Sequence, residues 1–525
     1  MKIRIHNLRH ARPEDESLHH LVATRLEIPE EDISDVIVRK KSVDGRRGRP
    51  VRVMMVDVTV KDAEAVLARH GSDSQVQKAP PPRDDVYRGD QVELGERPLV
   101  VGTGPAGLFA AWALAKKGYR PILVDRGKAV KPRWQDVNAY WKKGALNPES
   151  NVVFGDGGAG TFSDGKLYTR RNDSRNDVIL GLFSELAAAP DILTEGKPHL
   201  GTNRLSRALL QIKSVLVDLG VTLQFESHLD DLLIREGKII GAVVNGETID
   251  CDAIFLATGH SARDVYNLLE RKGVAMEARP MAVGVRAEHP QALINEAQLG
   301  TPDPETGAAD YMLSFQDRRA ERSAYTFCMC PGGEVVGAST EPGAVTVNGM
   351  SYSHRADEFG NAAIVVTVSP EDYGAEGPLA GLHFQSQLEQ AAYREGGGGF
   401  VAPAQRIGDF LKGRSSLGSF ETSYRRGVRG TDLSTLFPDY VVQTMRRALV
   451  HFGRRVRHYD SNNGHLIGVE TRTTAPVRIL RSDETYQSAN IAGLYPIGEG
   501  AGFAGGIMSS ASDGLRAVER IRARK

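Results

Sequence analysis

The chain opens with alternation. KIRIHNL (residues 2–8) spaces its apolar side chains as a half-buried strand does, and the segment from Pro13 to Leu26 changes to helical spacing. ISDVIVRKKSVD (33–44) and PVRVMMVDVTV (50–60) predict two further strands, and Ala63 to Arg69 a short helix. QKAPPPRDDVYRGD (77–90) then breaks the pattern. Its three consecutive prolines fix φ and remove backbone donors, which predicts a linker. From Arg97 the texture changes: RPLVVGTGPAGLFAAWALAKKGYRPILVDRG (97–127) reads as strand, glycine turn, apolar helix, strand. Residues 220–259 read as several short strands ending in the buried run AIFLATG. Between about 275 and 480, strands such as MAVGVRAEH and AAIVVTVS mix with helices such as LHFQSQLEQAAYRE, and Gly396 to Gly399 predicts a loop. The last stretch, 491–522, reads as strand, glycine-rich turn, helix. These patterns predict a small α+β unit over 1–90 that includes the linker, an α/β unit built from 91–274 and 481–525, and a mixed α+β unit over 275–480 inserted into it.

Composition narrows the class. The 525 residues are 41% hydrophobic and 25% charged, as in an ordinary globular protein, and 525 is too long for one core. Lys+Arg and Asp+Glu number 66 each, so net charge calls for neither nucleic acid nor an acidic surface as partner. The 56 glycines exceed the usual share of about 7%, which is useful where backbone must approach a phosphate-bearing ligand. Three cysteines, Cys251, Cys328 and Cys330, argue against a disulfide framework and for a reducing compartment. Met1 to Asn7 lacks a secretory apolar core, and no run of about 18 apolar residues predicts a membrane span. A cytoplasmic protein is expected.

The glycine turn after Val101 carries the first chemistry. Gly102, Gly104 and Gly107 follow a strand and open an apolar helix, the context a dinucleotide fingerprint requires. Gly102 permits the tight turn, Gly104 lets the backbone approach a pyrophosphate, and Gly107 with Ala111 allows close helix–sheet packing. The helix N-terminus, with Pro105 and then Ala106 in its first turn, offers free N–H groups other than proline's and partial positive charge to phosphates. Asp125 ends the second strand, where a carboxylate can accept from ribose hydroxyls; Arg126 beside it can favour an extra phosphate, stack on adenine or face solvent.

The C-terminal stretch decides between dinucleotides. In LYPIGEGAGFAGGIMSSASDGLRA a strand delivers Gly498 and Glu499 to a glycine turn, and a helix begins near Gly505, Gly506 and Ile507. This resembles the second cofactor motif of FAD enzymes, in which an acidic residue bonds a ribityl hydroxyl and helix N–H groups face the pyrimidine ring. Most relatives carry Asp where this chain has Glu499. Such N–H groups stabilise the negative charge of a reduced flavin, and NAD enzymes need no second clamp of this kind. Thr258 and Gly259 of the ATG turn, and Leu229 in the preceding strand segment, belong to the same expected site. FGDGGAGTFSDGKL (154–167) can line a cofactor with backbone N–H groups. Its Gly157, Gly158, Gly160 and Thr161 are expected at the cofactor, and Ser163, Asp164 and Lys166 toward flavin or substrate.

GDGGAGTFSDGKL, ATGHSARD, TFCMCPGGEVV, GVETRTTAPVRI and GLYPIGEGAGFAGGIMSSASDG together resemble a bacterial family of uncharacterised FAD-dependent, NAD(FAD)-utilising dehydrogenase-like proteins, over essentially the whole chain. The wider resemblance is to two-domain Rossmann-type FAD oxidoreductases with an inserted substrate domain. The resemblance implies one FAD per chain and dehydrogenase-type activity on an unidentified small molecule.

Reactive side chains are few. Cys328 and Cys330 form C-x-C, which on a strand points both thiols to one face, although closing a ring over one residue is strained. No Cys/His cluster lies near enough in sequence for zinc, so no metal is expected. His260 follows the ATG turn and could transfer a proton; Arg286 and His289 flank a strand of the middle unit. Flavin chemistry needs no strong acid or base, because hydride moves directly to N5. No second strand–GxGxxG–helix unit exists, so NADH or NADPH would bind transiently over the flavin, or another donor would reduce it. The basic cluster Arg39, Lys40, Lys41, Arg46, Arg47, Arg49 and Arg52 reads as a solvated rim that could meet a partner. Its strands lack aromatic stacking residues, which counts against RNA. Two other readings remain open: a flavoprotein acting on RNA, and an FAD-bound interaction protein without turnover.

Overall fold

The computed structural model describes residues 1–10, 16–44, 51–80, 97–169, 173–300, 307–418 and 420–521. The expected linker lies mostly outside these residues, as do Arg46, Arg47 and Arg49 of the basic cluster.

The N-terminal pattern forms a four-stranded antiparallel sheet in the order Ile33–Asp44, Val51–Val60, Lys2–His10, Val76–Lys78. The alternation puts Ile3, Ile5, Val56 and Val58 on one buried face, against Val22 and Leu26 of the helix Leu18–Leu26. Ser17 caps that helix by accepting from the N–H of His20. This sheet is seated on the rest of the molecule through its outer strand: Lys41 donates its N–H to Thr194 and accepts from Gly196 at 2.6 Å.

The strand–turn–helix readings converge on a five-stranded parallel sheet in the order Leu494–Pro496, Ile254–Leu256, Leu99–Val101, Ile122–Val124, Thr222–Gln224. Its three central strands are continuous apolar runs because both faces are covered. This is the Rossmann-type arrangement. The helix Pro105–Lys116 packs against the C-terminal helix Ile507–Glu519 so closely that a Cβ on Gly514 would collide with the carbonyl of Ala106. That contact brings two segments more than 400 positions apart to one edge of the sheet.

Between the fourth and fifth parallel strands in sequence, residues 281–470 build a mixed seven-stranded sheet. Its order is Ser314–Asp317, Arg322–Cys330, Phe359–Val368, Met281–Pro290, His465–Glu470, Ala402–Arg406, Val428–Gly430. Helices Ala380–Glu395 and Asp439–Gly453 cover it, and Met281–Pro290 is buried along nearly its whole length. Two short strands, Met276–Ala278 and Val477–Ile479, pair antiparallel where the chain enters and leaves this unit. Among the described residues no helix is long and apolar enough to cross a membrane.

Candidate functional site

The parallel sheet ends at the first glycine turn. Gly102 has φ 106°, and a Cβ there would strike the carbonyl of Ala257 on the neighbouring strand, so only glycine fits. Gly104 is the N-cap of the helix Pro105–Lys116 and Pro105 takes its first position; no side chain caps the N–H groups. Asp125 is nearly buried and braces the turn. Its carboxylate accepts from Thr103 N at 2.8 Å, Thr103 Oγ1 at 2.7 Å and Gly127 N at 2.9 Å. Any ribose bond must share a carboxylate already engaged by three donors. Arg126 is held by Glu149 and Asp264 and lies over the Phe154 ring at 4.5 Å.

The loop of residues 151–165 lies against this turn. A Cβ on Gly158 would sit 3.2 Å from Gly104 Cα, and one on Gly160 would sit 3.2 Å from the Ile507 side chain. The loop therefore threads between the N-termini of the two helices. Arg133, fully buried on the helix Val130–Lys143, holds it there. Its guanidinium donates to the carbonyl oxygens of Asn151 (2.8 Å), Asp156 (2.7 Å), Val152 (2.9 Å) and Gly158 (3.0 Å). At the end of the loop buried Asp164 forms a bidentate pair with Arg355 at 2.9 and 2.6 Å, and pairs with Lys166 at 3.0 Å. Burial opposes its charge, but Lys166 and Arg355 outweigh burial and hold the carboxyl well below the usual range.

The second glycine turn is built like the first. Gly498 N donates to Asp513 at 2.8 Å, and Asp513 is itself gripped by Arg481 at 2.9 and 2.7 Å. Gly506, at φ 96°, is the N-cap of the helix Ile507–Glu519, again with no side-chain cap. Burial pushes the Glu499 carboxyl up to about 7, with the nearby Gly506 backbone pulling the other way.

The seven-stranded sheet supplies the facing wall. The strand Arg322–Cys330 slips register between Phe327 and Cys330, and Cys328 there has φ 46°. Glu470, buried at the end of His465–Glu470, receives Arg286 Nη1 at 3.3 Å; burial pushes it up to about 7 despite the guanidinium. His260 is half-buried, and burial with the nearby Arg472 pulls it down to about 4, so it is neutral at neutral pH.

Turn, loop and wall enclose one cavity of about 1190 Å³. Every sequence-predicted site residue lines it except Gly107, Gly157, Thr161 and Cys330. Gly107 packs under the Gly102 carbonyl, Gly157 lies against Leu209, Thr161 bonds the Asp156 carbonyl, and Cys330 is buried behind Cys328. His289 is buried away from the cavity, on the carbonyl of Tyr459. Sequence reasoning missed Arg133, Arg355 and Glu470. Only Glu470 left a local signal, a carboxylate closing the apolar run HLIGVE. Among the described residues no group of His, Cys, Asp and Glu could hold a metal.

The cavity fits a dinucleotide with an acidic middle. A Cβ on Gly104, Gly259, Gly505 or Gly506 would meet no protein atom within 4 Å, so bare backbone faces the cavity at both glycine turns. Both helices present uncapped N–H groups there. The fold and site define a Rossmann-type FAD-dependent protein. Residues 280–473 match the family described as FAD-dependent protein, C-terminal domain-like; residues 100–146 match an NAD(P)-binding Rossmann-like domain; and residues 2–59 match a domain of unknown function. A Clostridium beijerinckii protein that carries the name "Uncharacterized protein" is 43% identical over 99% of this chain and 98% of its own length. The chain belongs to that family of FAD-dependent proteins, and FAD is its cofactor. Partial similarity extends to Protein FixC of Escherichia coli O157:H7 (24% identical, 38% of this chain and 44% of that protein). It also extends to the flavin-dependent monooxygenase pboD of Aspergillus ustus (30% identical, 31% of this chain and 32% of that protein). Among solved structures, L-proline dehydrogenase from P. horikoshii aligns with a TM-score of 0.37 at 12% identity, over 81% of this chain and 92% of that one.

Proposed function

We propose that the chain is an FAD-dependent dehydrogenase or reductase of the cytoplasm, moving hydride or electrons between its FAD and a small molecule. The observation that carries this reading is that both uncapped helix N-termini share one cavity with a wall bearing Cys328 and Glu470. In this reading residues 1–90 are an accessory unit, 91–274 with 481–525 hold FAD, and 275–480 supply the substrate wall.

The bound flavin supplies a two-electron centre that takes hydride at N5. The chain does the rest. Pro105 has no N–H, so the N–H groups of Gly104 and Ala106 would hold the pyrophosphate. The N-terminus of Ile507–Glu519 favours negative charge at the flavin's pyrimidine edge. Glu470 and Glu499, both near 7, can hold or release a proton on a carboxyl oxygen at physiological pH. Neutral His260 can donate or accept one hydrogen bond but resists protonation, which favours positioning over acid catalysis.

A visible spectrum of the purified protein, followed by anaerobic NADH or NADPH, tests the reading. A flavin spectrum that bleaches establishes a nicotinamide-linked enzyme. Bound flavin that stays oxidised moves weight to a substrate-driven dehydrogenase. Failure to bind stoichiometric FAD on reconstitution sinks the proposal.

A further inference from the structure

Cys328 and Cys330 sit where a regular strand would not join them. Extended chain rises about 3.3 Å per residue, which leaves residues two apart with parallel side chains near the outer limit a disulfide spans. In Arg322–Cys330 the ladder slips between Phe327 and Cys330, with Cys328 in the left-handed region. The slip folds Cys330 back on its neighbour: its thiol donates to the Cys328 carbonyl oxygen at 3.4 Å, and the two thiols lie near enough to interact.

Two cations, the buried Arg286 and the half-buried Lys166, hold this bulge by consecutive carbonyls. Arg286 Nη2 donates to the Cys328 carbonyl at 2.8 Å, and Lys166 Nζ donates to that of Met329. Arg286 is fixed in turn by Asn361 at 3.0 Å and Glu470, and Lys166 by Asp164. The anchors come from four separate parts of the chain: 164–166, 286, 361 and 470. A left-handed non-glycine residue costs of order 1–3 kcal/mol and persists only where its surroundings over-determine it. The neighbouring Cys330 thiol foremost, and then the same cations, favour a thiolate at Cys328. Cys328 is half-buried and lines the cavity together with Glu499 and Gly506, whereas Cys330 is buried behind it.

We propose that Cys328 and Cys330 are a redox dithiol that exchanges two electrons with the bound flavin, making a thiol or disulfide compound the class of reaction partner. This rests on the FAD reading above. The Cys328 sulfur bonds to the Cys330 sulfur and Cys330 releases its thiol proton. The two electrons and that proton pass to oxidised FAD, leaving it reduced; the reverse step cleaves the disulfide at the expense of reduced FAD. Cys328 is the residue open to a mixed disulfide with an outside dithiol, because it alone of the pair reaches the cavity.

The test counts electrons in the holoenzyme. FAD-loaded protein is oxidised with diamide, desalted and titrated anaerobically with dithionite, while a parallel sample is acid-quenched, alkylated and mapped by mass. The wild type and Cys251→Ser should take up four electrons per FAD, and Cys328→Ser and Cys330→Ser two. Mapping should find Cys328 and Cys330 joined within one peptide, and free again after reduction. Two electrons per FAD in the wild type, with both cysteines open to alkylation after diamide, overturns the dithiol while leaving the flavin reading intact. Absence of FAD from the starting spectrum overturns both.

Discussion

Arg133 has no solvent and no carboxylate partner at bonding distance, yet four carbonyl oxygens of one loop take its hydrogens. Burial pulls its guanidinium down to about 10, with Asp125 and Asp156 pulling back, so it stays charged at neutral pH. Arg133→Ala strands those carbonyls in the interior. At roughly 1–3 kcal/mol per buried group left unsatisfied, the expected loss is at least about 3 kcal/mol, with FAD binding weakened more than tenfold as the loop leaves the cofactor. Arg133→Lys keeps the charge but not the fork and should recover only part of the loss. Denaturation and FAD titration of both variants check this, and equal, small effects would remove Arg133 as the loop's anchor. Glu470 gives a prediction with a pH window. Unfolded, its carboxyl titrates near 4.5; folded, near 7, because burial and the Cys328 charge outweigh Arg286. Between these values the folded chain holds a proton that the unfolded chain has lost, so stability falls as pH rises through the window and levels off above 7. At about 1.4 kcal/mol per pH unit the loss is on the order of 3 kcal/mol. Glu470→Gln cannot titrate, and Glu499 titrates alike in both proteins. Wild type should therefore lose about that much relative to the variant between pH 5 and 7.5; parallel stability curves would contradict it.

The two glycine-capped helices show why part of the site was legible. Spacing within six to ten residues specifies a turn, a cap and a bare backbone face, so GTGPAG and GEGAGFAGGI carried their own chemistry. FGDGGAGTFSDGKL likewise announced a backbone-lined loop, but not that Arg133, 18 to 25 positions earlier, would hold it. Asp164 and Arg355 are separated by 191 positions and Arg286 and Glu470 by 184. No local period encodes pairings at that range, so Asp164 and Arg286 could be singled out but their partners Arg355 and Glu470 could not. The C-x-C reading assumed a regular strand; the bulge, held by residues from elsewhere, is tertiary and was invisible. The glycine turns also separate cofactor binding from folding. Gly104→Ala adds a Cβ that meets no protein atom, so folding stability should change by less than about 1 kcal/mol. The same methyl enters the cofactor's side of the turn and should weaken FAD at least tenfold. Gly514→Ala drives a Cβ into Ala106 between the helices and should cost about 1–3 kcal/mol of stability. Its effect on FAD should follow only from that loosening. Denaturation of FAD-free samples beside FAD titration separates the two, and a Gly104→Ala variant that binds FAD normally would move the cofactor away from this turn.

At the scale of the molecule the cavity is where three stretches of chain close on one another: residues 97–264, the wall strands of 281–470, and 494–510. The helix contact at Gly514 and the short antiparallel pair Met276–Ala278 with Val477–Ile479 tie them together, and a ligand spanning all three adds its binding energy to the closure. A ligand present at a hundredfold its Kd stabilises the folded state by about 2.7 kcal/mol, so FAD should raise the thermal midpoint in a concentration-dependent way. Hydrogen exchange locates where that energy is taken up. FAD spanning the cavity should protect amides at 102–107, 155–166 and 498–510 together, because each segment borders the next through Gly104, Gly158, Gly160 and Ile507. The N-terminal sheet touches the body at Lys41, on Thr194 and Gly196, none of which lines the cavity, and should exchange as before. Protection confined to 102–107 would mean that only an ADP moiety is held and that the second glycine turn serves the fold alone. Protection of all three, with the seam at Lys41 unchanged, requires a ligand long enough to reach from one helix N-terminus to the other.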